Sequence, residues 1–265
     1  MIADHIPVCV VTGGSSGIGR AISIALAQRR CAVVVVGRTP SHIDETLAAM
    51  AQASPTGASA DHIGFALDVS CPADMKQLSE MCADRYGRVD ALIASAGIGS
   101  ASDTLSRLPR PTTQLTISEW QSVIDVNLHG IYLSNMAVLP LMLAQGSGDI
   151  LNVCSSTTPR GLRGRPMAQA YSASKFAVAA YTEVLATEVE DSGVRVSAVF
   201  PGPVRTSLIE STALHGPFGG CIETDSFAQQ ILGLLDLQRD SRVAQPHILP
   251  VPHFRGTGRR IERSV

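Results

Sequence analysis

Six short runs rich in β-branched residues recur along the chain and alternate with five longer segments whose apolar positions repeat at helical spacing. The runs are VCVVT (8–12), AVVVV (32–36), HIGFAL (62–67), VDALIAS (89–95), DILNVCS (149–155) and VRVSAVF (194–200). Between them lie GIGRAISIALAQRR, SHIDETLAAMAQA, PADMKQLSEMCADRY, the long ISEWQSVIDVNLHGIYLSNMAVLPLMLAQ, and YSASKFAVAAYTEVLATEVEDS. Apolar strands alternating with amphipathic helices predict an α/β fold, a doubly wound parallel sheet covered on both faces. HILPV at 247–251 is read as a seventh strand closing the sheet. No internal repeat and no long linker divides the chain, so residues 1–265 are read as one domain. Three segments read as mobile surface: 53–61, 97–114, and a candidate lid from Ser207 to Thr224. The polar, basic FRGTGRRIERSV at the end, 254–265, is expected to fray.

Composition narrows the function classes. The chain is 45% apolar and 17% charged with a formal net charge of -2, the balance of a soluble protein with a full core and without the basic excess expected of a nucleic-acid partner. The strongest apolar run, AVVVV, stops at Gly37 and Arg38, far short of the ~18 residues of a membrane span. MIADHIPVCVV lacks the pattern of a secretion signal, and a cytoplasmic protein is expected. The six cysteines form no C-x-x-C and read as reduced core residues, while the seven histidines show no paired ligand spacing, so no metal site is predicted.

Two stretches carry chemistry. The first strand runs into TGGSSGIG (12–19) and then a helix, the arrangement in which a glycine turn and a helix N-terminus receive a pyrophosphate. Its spacing, Gly13, Gly17 and Gly19, is G-x-x-x-G-x-G rather than G-x-G-x-x-G. The second strand ends in Gly37 and Arg38, where an acidic residue would accept a bond from a free ribose 2′-hydroxyl. A glycine and a guanidinium instead offer room and donors to a 2′-phosphate, which favours NADP(H) over NAD(H).

Later, Tyr171 and Lys175 stand four residues apart in QAYSASKFAVAAY. With four tyrosines and only two lysines, Lys76 and Lys175, in 265 positions, chance produces roughly 0.03 such pairs. On one helix face, an ammonium beside a phenol stabilises the phenolate and brings its pKa down from about 10, so the tyrosine can exchange a proton with a carbonyl or alcohol oxygen. The chain otherwise uses arginine, which could not serve in a proton relay because it stays charged.

Taken together, TGGSSGIG, Asp68, SAG at 95–97, Asn127 in VIDVNLHGIYL, Ser155 and Ser156, YSASK, and PGPVRT at 201–206 resemble the short-chain dehydrogenase/reductase family, in order from about residue 8 to 206. The resemblance implies a Rossmann-type fold and hydride transfer between a nicotinamide and a carbonyl or alcohol carbon. It makes Tyr171 the acid/base and Lys175 its partner and a ligand of the nicotinamide ribose. Ser156 would orient the substrate oxygen, and Asn127 would hold a water that relays protons to Lys175. Gly13, Ser15, Ser16, Gly17, Ile18 and Gly19 would cradle the pyrophosphate side. Asp68 and Val69 would sit at the adenine, Ala96 and Gly97 beside the cofactor, and Pro201, Gly202, Val204 and Thr206 around the nicotinamide.

The sequence departs from the family at several places. Ser95 replaces an asparagine that normally braces the sheet, and a structural compensation is expected. The usual serine-to-tyrosine spacing falls on Thr158; the strand pattern favours Ser156, with Ser155 and Thr158 left open. Arg160, Arg163 and Arg165 follow, near where the family's pocket opens, and could bind an anionic substrate or form a solvated loop. Where many members carry an aspartate-glycine-glycine tail the chain has HILPVPHFRGTG, which looks closer to NADP-dependent members and leaves homodimer and homotetramer both open. The reading is an NADP(H)-preferring ketone or aldehyde reductase. Its rivals are an epimerase or dehydratase that uses the nicotinamide transiently, and a non-catalytic NADP-binding regulator.

Overall fold

The computed structural model describes residues 5–54, 61–99, 111–156, 168–210 and 220–251. β1 (Val8–Thr12) is an inner strand of a sheet, paired in parallel with β2 (Ala32–Gly37) on one side and β4 (Ala91–Ala94) on the other. Val10 faces Val34 across one ladder and Leu92 across the other, and all three are fully buried. β3 (Ile63–Ala66), β5 (Gly148–Val153), β6 (Val194–Pro201) and β7 (His247–Ile248) complete the all-parallel order β3-β2-β1-β4-β5-β6-β7. This is the Rossmann-type order expected from the sequence. The chain winds outward from β1 to β3, then returns to β4 on the far side, so the connections leave β1 and β4 in opposite directions and open a crevice at their C-terminal ends.

Because both faces of a parallel sheet are covered, each strand contributes to two cores. On one face, α1 (Gly17–Gln28), α2 (Pro40–Ala53) and α8 (Thr224–Leu235) bury Ile22, Leu26, Met50 and Phe227 against Val11, Val33 and Val35. On the other, α3 (Pro72–Tyr86), α5 (Gly130–Gln145) and α6 (Gln169–Glu188) enclose Leu78, Ile131, Met142 and Val178 with Val10, Val34 and Ile150.

Two elements differ from the periodicity. The apolar stretch 117–145 reads as one helix, yet it divides into α4 (Ile117–Ile124), a π-helical turn (Asp125–His129) and α5. Thr116 and Glu119 start α4 with a reciprocal capping box. At the turn the Gly130 N–H reaches back five residues to the Asp125 carbonyl. Gly130 presses against Val69, where an added Cβ would lie 2.6 Å from Cγ2, and the widened turn carries Asn127 into the interior. By length and hydropathy alone this 29-residue stretch could cross a membrane, but 56% of an apolar window within it is buried inside the protein, and its own polar residues Asn127, Ser134 and Asn135 are fully buried. The last strand is shorter than HILPV because only His247 and Ile248 pair with β6, and Pro250 has no N–H to extend the ladder. A four-residue helix, α7 (Ser207–Glu210), follows the end of β6.

Candidate active site

The crevice between the C-terminal ends of β1 and β4 holds a cleft of about 740 Å³. Its floor is the turn from Gly13 to Gly19, and its walls come from the residues after β2, β3 and β4 and from Thr206 to Leu208. α1 opens at this turn with no side-chain cap from Ser16 and no acidic residue in its first turn. The first intrahelical bond is Arg20 N–H to the Ser16 carbonyl, so the N–H groups of residues 17–19 and the positive end of the helix dipole stay available to an anion. Backbone approach is close. A Cβ on Gly19 would run into the Gly13 carbonyl oxygen and lie 2.6 Å from Ser95 Oγ. These features fit the pyrophosphate of a dinucleotide.

Ser95 supplies the sheet brace. Its hydroxyl donates to the Thr12 carbonyl at 2.6 Å, the same oxygen that accepts the Ser95 N–H at 3.2 Å, which ties the end of β4 to the start of the glycine turn.

Along the other wall, Arg38, Thr39 and His42 line the cleft just past β2, with Asp68 and Val69 beyond β3. Asp68 Oδ1 accepts from both the N–H (2.8 Å) and the hydroxyl (2.6 Å) of Ser70. Partial burial disfavours its carboxylate, but the Ser70 bonds and the Arg38 charge outweigh that and hold the pKa below the ordinary aspartate value.

At the inner end of the cleft three elements converge on Gly97. A Cβ there would stand 3.3 Å from Asn127 Oδ1 and 3.7 Å from Lys175 Nζ, so the absence of a side chain leaves these groups facing the cleft-lining backbone. Lys175 is only 4% exposed, and its ammonium donates to the Val153 carbonyl at 2.8 Å. No other hydrogen-bond acceptor for its remaining N–H groups is found among the described residues. Burial pushes its pKa down, with Cys154 acting weakly the other way. The ammonium stands 5.9 Å from the centre of the Tyr171 ring, on the same face of α6. Asn127, fully buried, accepts from the Ile98 N–H at 2.8 Å and donates to the Ile98 carbonyl at 2.9 Å, a two-point clamp on the strand-end loop.

The remaining sequence-derived site residues divide by position. Gly13, Ser15, Ser16, Gly17, Ile18, Gly19, Arg38, Asp68, Val69, Ala96, Gly97 and Thr206 line the cleft. Pro201, Gly202 and Val204 do not; Gly202 packs on Leu249 and Pro250 and donates its N–H to the Ile248 carbonyl. Ser156 is buried at the end of β5, its N–H bonded to the Pro201 carbonyl at 2.8 Å. Thr158, Arg160, Arg163 and Arg165 lie outside the described residues, as do 211–219 of the 207–224 lid and all of the 254–265 tail.

Residues 7–215 match the family model for short chain dehydrogenases. The chain belongs to that family. A 3-oxoacyl-[acyl-carrier-protein] reductase of Synechocystis sp. is 36% identical over 211 residues, 80% of this chain and 79% of that one. The fold is also that of a levodione reductase crystal structure (TM-score 0.81, 26% identity, 92% of this chain and 96% of that one). A 3-ketoacyl-(acyl-carrier-protein) reductase from Brucella melitensis, solved with NADH, superposes with a TM-score of 0.79 at 26% identity over 91% of this chain and 96% of that one. As a family member the chain is an oxidoreductase whose fold takes a nicotinamide cofactor and whose relatives act on CH–OH and C=O groups.

Several contributors escaped the sequence reading. His42, Ile98, Ser174 and the carbonyl of Val153 sit in or against the site. Of these, only Ser174 carried a signal, its place in YSASK directly before the lysine and three residues after the tyrosine.

Proposed function

We propose that the protein is an NADP(H)-dependent reductase of a ketone or aldehyde, with a 3-oxoacyl group as the substrate class that its relatives' names suggest. The observation that carries this reading is the meeting of Lys175 and Asn127 at Gly97, with Tyr171 on the same helix face as the lysine. Burying an ammonium is costly, and a protein that only sensed a nucleotide would have no use for one beside a phenol. That favours catalysis over the regulatory reading. Arg38, Thr39 and His42 would hold the ribose end of the cofactor, the N-terminal turn of α1 its pyrophosphate, and the backbone at Ala96 and Gly97 its nicotinamide end. When bound, the cofactor supplies the hydride.

The side chains do the rest. Ser156 donates a hydrogen bond to the substrate oxygen, and Tyr171 gives that oxygen a proton as charge develops on it. Lys175 keeps a positive charge near the phenol and contacts the ribose. Asn127 fixes the Gly97–Ile98 backbone through its clamp and serves the proton relay. Arg38 decides the cofactor, since a guanidinium on the cleft wall suits a 2′-phosphate better than a free hydroxyl. Arg38→Ala is expected to weaken NADPH binding about tenfold or more and to change NADH binding less than about threefold, because a charge-assisted bond is worth roughly 1.5–3 kcal/mol. Nicotinamide fluorescence titrations of both proteins with both cofactors check this; equal losses for NADPH and NADH would make Arg38 a bystander.

We further propose a homodimer or homotetramer. Tyr132, Met136 and Leu143 on α5 and Val184 on α6 leave a row of large apolar side chains 43–66% exposed, next to the Tyr132–Tyr181 ring contact. Met136→Glu is expected to shift the sedimentation coefficient toward that of a monomer, and an unchanged value would exclude this face. The free thiols of all six cysteines suit the cytoplasm.

A further inference from the structure

Ser174 is fully buried on α6, one residue before Lys175 and three after Tyr171. A hydroxyl has one proton to give and lone pairs to share, and here both capacities are used across two elements. Its O–H donates to the Tyr171 carbonyl at 2.8 Å, while its oxygen accepts from Asn127 Nδ2 at 3.2 Å. The same Asn127 amide clamps the N–H and carbonyl of Ile98, next to Gly97 in the cleft wall. One continuous chain of hydrogen bonds therefore runs from the cofactor-side loop, through the π-helical turn, to the turn of α6 that carries Tyr171. The three contacts also agree on the orientation of the amide, since a flipped Asn127 would aim its N–H at the Ile98 N–H and its oxygen at the Ile98 carbonyl.

We propose that Ser174 is a positioning residue that couples the seating of the Gly97–Ile98 backbone to the placement of Tyr171. It acts only through Asn127 and the Tyr171 carbonyl. Without the hydroxyl, the Asn127 amide loses one of its two acceptors, its hold on Ile98 loosens, and Tyr171 loses its register with the cofactor side of the cleft. Alanine suits a helix interior, so Ser174→Ala tests the hydroxyl with little risk to α6. This inference rests on Tyr171 being the proton donor, as proposed above, and the test separates the two.

Four variants, Ser174→Ala, Ser174→Thr, Asn127→Ala and the double Ser174→Ala/Asn127→Ala, are compared with the unmutated protein, using NADPH and ethyl acetoacetate as a small 3-oxoacyl ester. Amide exchange at Ile98 is followed in the same proteins with no substrate present. Ser174→Ala is expected to lower kcat about tenfold with KM for the ester within about threefold, the signature of lost alignment rather than lost binding. Ser174→Thr, which keeps the hydroxyl, restores most of the rate. The double variant is no slower than Asn127→Ala alone, because the serine acts through the asparagine. Ile98 exchanges faster in Ser174→Ala and in Asn127→Ala alike. Ile98 protection unchanged by Ser174→Ala, or effects on kcat that multiply in the double variant, would overturn the coupling. Tyr171→Phe run alongside reports on the other reading: turnover that survives it removes Tyr171 as the proton donor, while Ile98 exchange still reads the coupling directly.

Discussion

Tyr171→Phe is expected to lower kcat by ~10²–10⁴-fold while NADPH affinity changes less than about threefold, since general acid catalysis by a positioned side chain contributes that much and the substitution removes only the phenolic oxygen. The ring keeps its place on α6. Lys175 is held independently, by the Val153 carbonyl at 2.8 Å, so its ammonium does not leave with the hydroxyl. Stability should change little, which separates a chemical loss from unfolding. Steady-state kinetics, a cofactor titration and a thermal melt on the same preparation check all three parts. A variant that kept its biological activity would instead favour the regulatory reading.

The second large effect falls on the glycine turn. Gly19→Ala puts a methyl into the Gly13 carbonyl oxygen and within 2.6 Å of Ser95 Oγ. Neither can retreat cheaply. Gly13 is backbone at a positive φ of 67°, and the Ser95 hydroxyl is the brace to Thr12. Overpacking of this kind costs roughly 1–3 kcal/mol, and here it displaces the N–H groups that face the cleft. NADPH binding is expected to weaken about 10–100-fold, with a lower melting temperature. Gly233→Ala in α8 is the control, because nothing lies within 4 Å of the added methyl and alanine is the better helix former. Equal NADPH affinities for Gly19→Ala and the unmutated protein would mean that the turn does not hold the cofactor.

What could be read from the residues follows from how locally each feature is encoded. Buried parallel strands announce themselves as short apolar runs rich in β-branched residues, and six of the seven overlap the runs from VCVVT to VRVSAVF, while β7 takes only the first two residues of HILPV. The tyrosine and lysine were legible for a compositional reason: a chain with two lysines places one of them a helical turn from a tyrosine. By contrast, the break between α4 and α5 left no mark, because apolar periodicity runs through the π-turn undisturbed and the cause is a contact between Gly130 and the distant Val69. Ser174 stood in view inside YSASK, but its role was not legible. A serine inside a helix reads as a small core residue until the fold brings Asn127 to within 3.2 Å of it. The brace at Ser95 was expected in kind but not in detail, since only the register of β1 beside β4 puts its hydroxyl on the Thr12 carbonyl.

The reductase reading is tested most directly by incubating the protein with NADPH and ethyl acetoacetate and measuring the hydroxy ester formed for each NADPH consumed. Equimolar conversion that is lost in Tyr171→Phe is the expected result. NADPH that binds in the cleft yet yields no hydroxy ester, or conversion that Tyr171→Phe leaves intact, would contradict it.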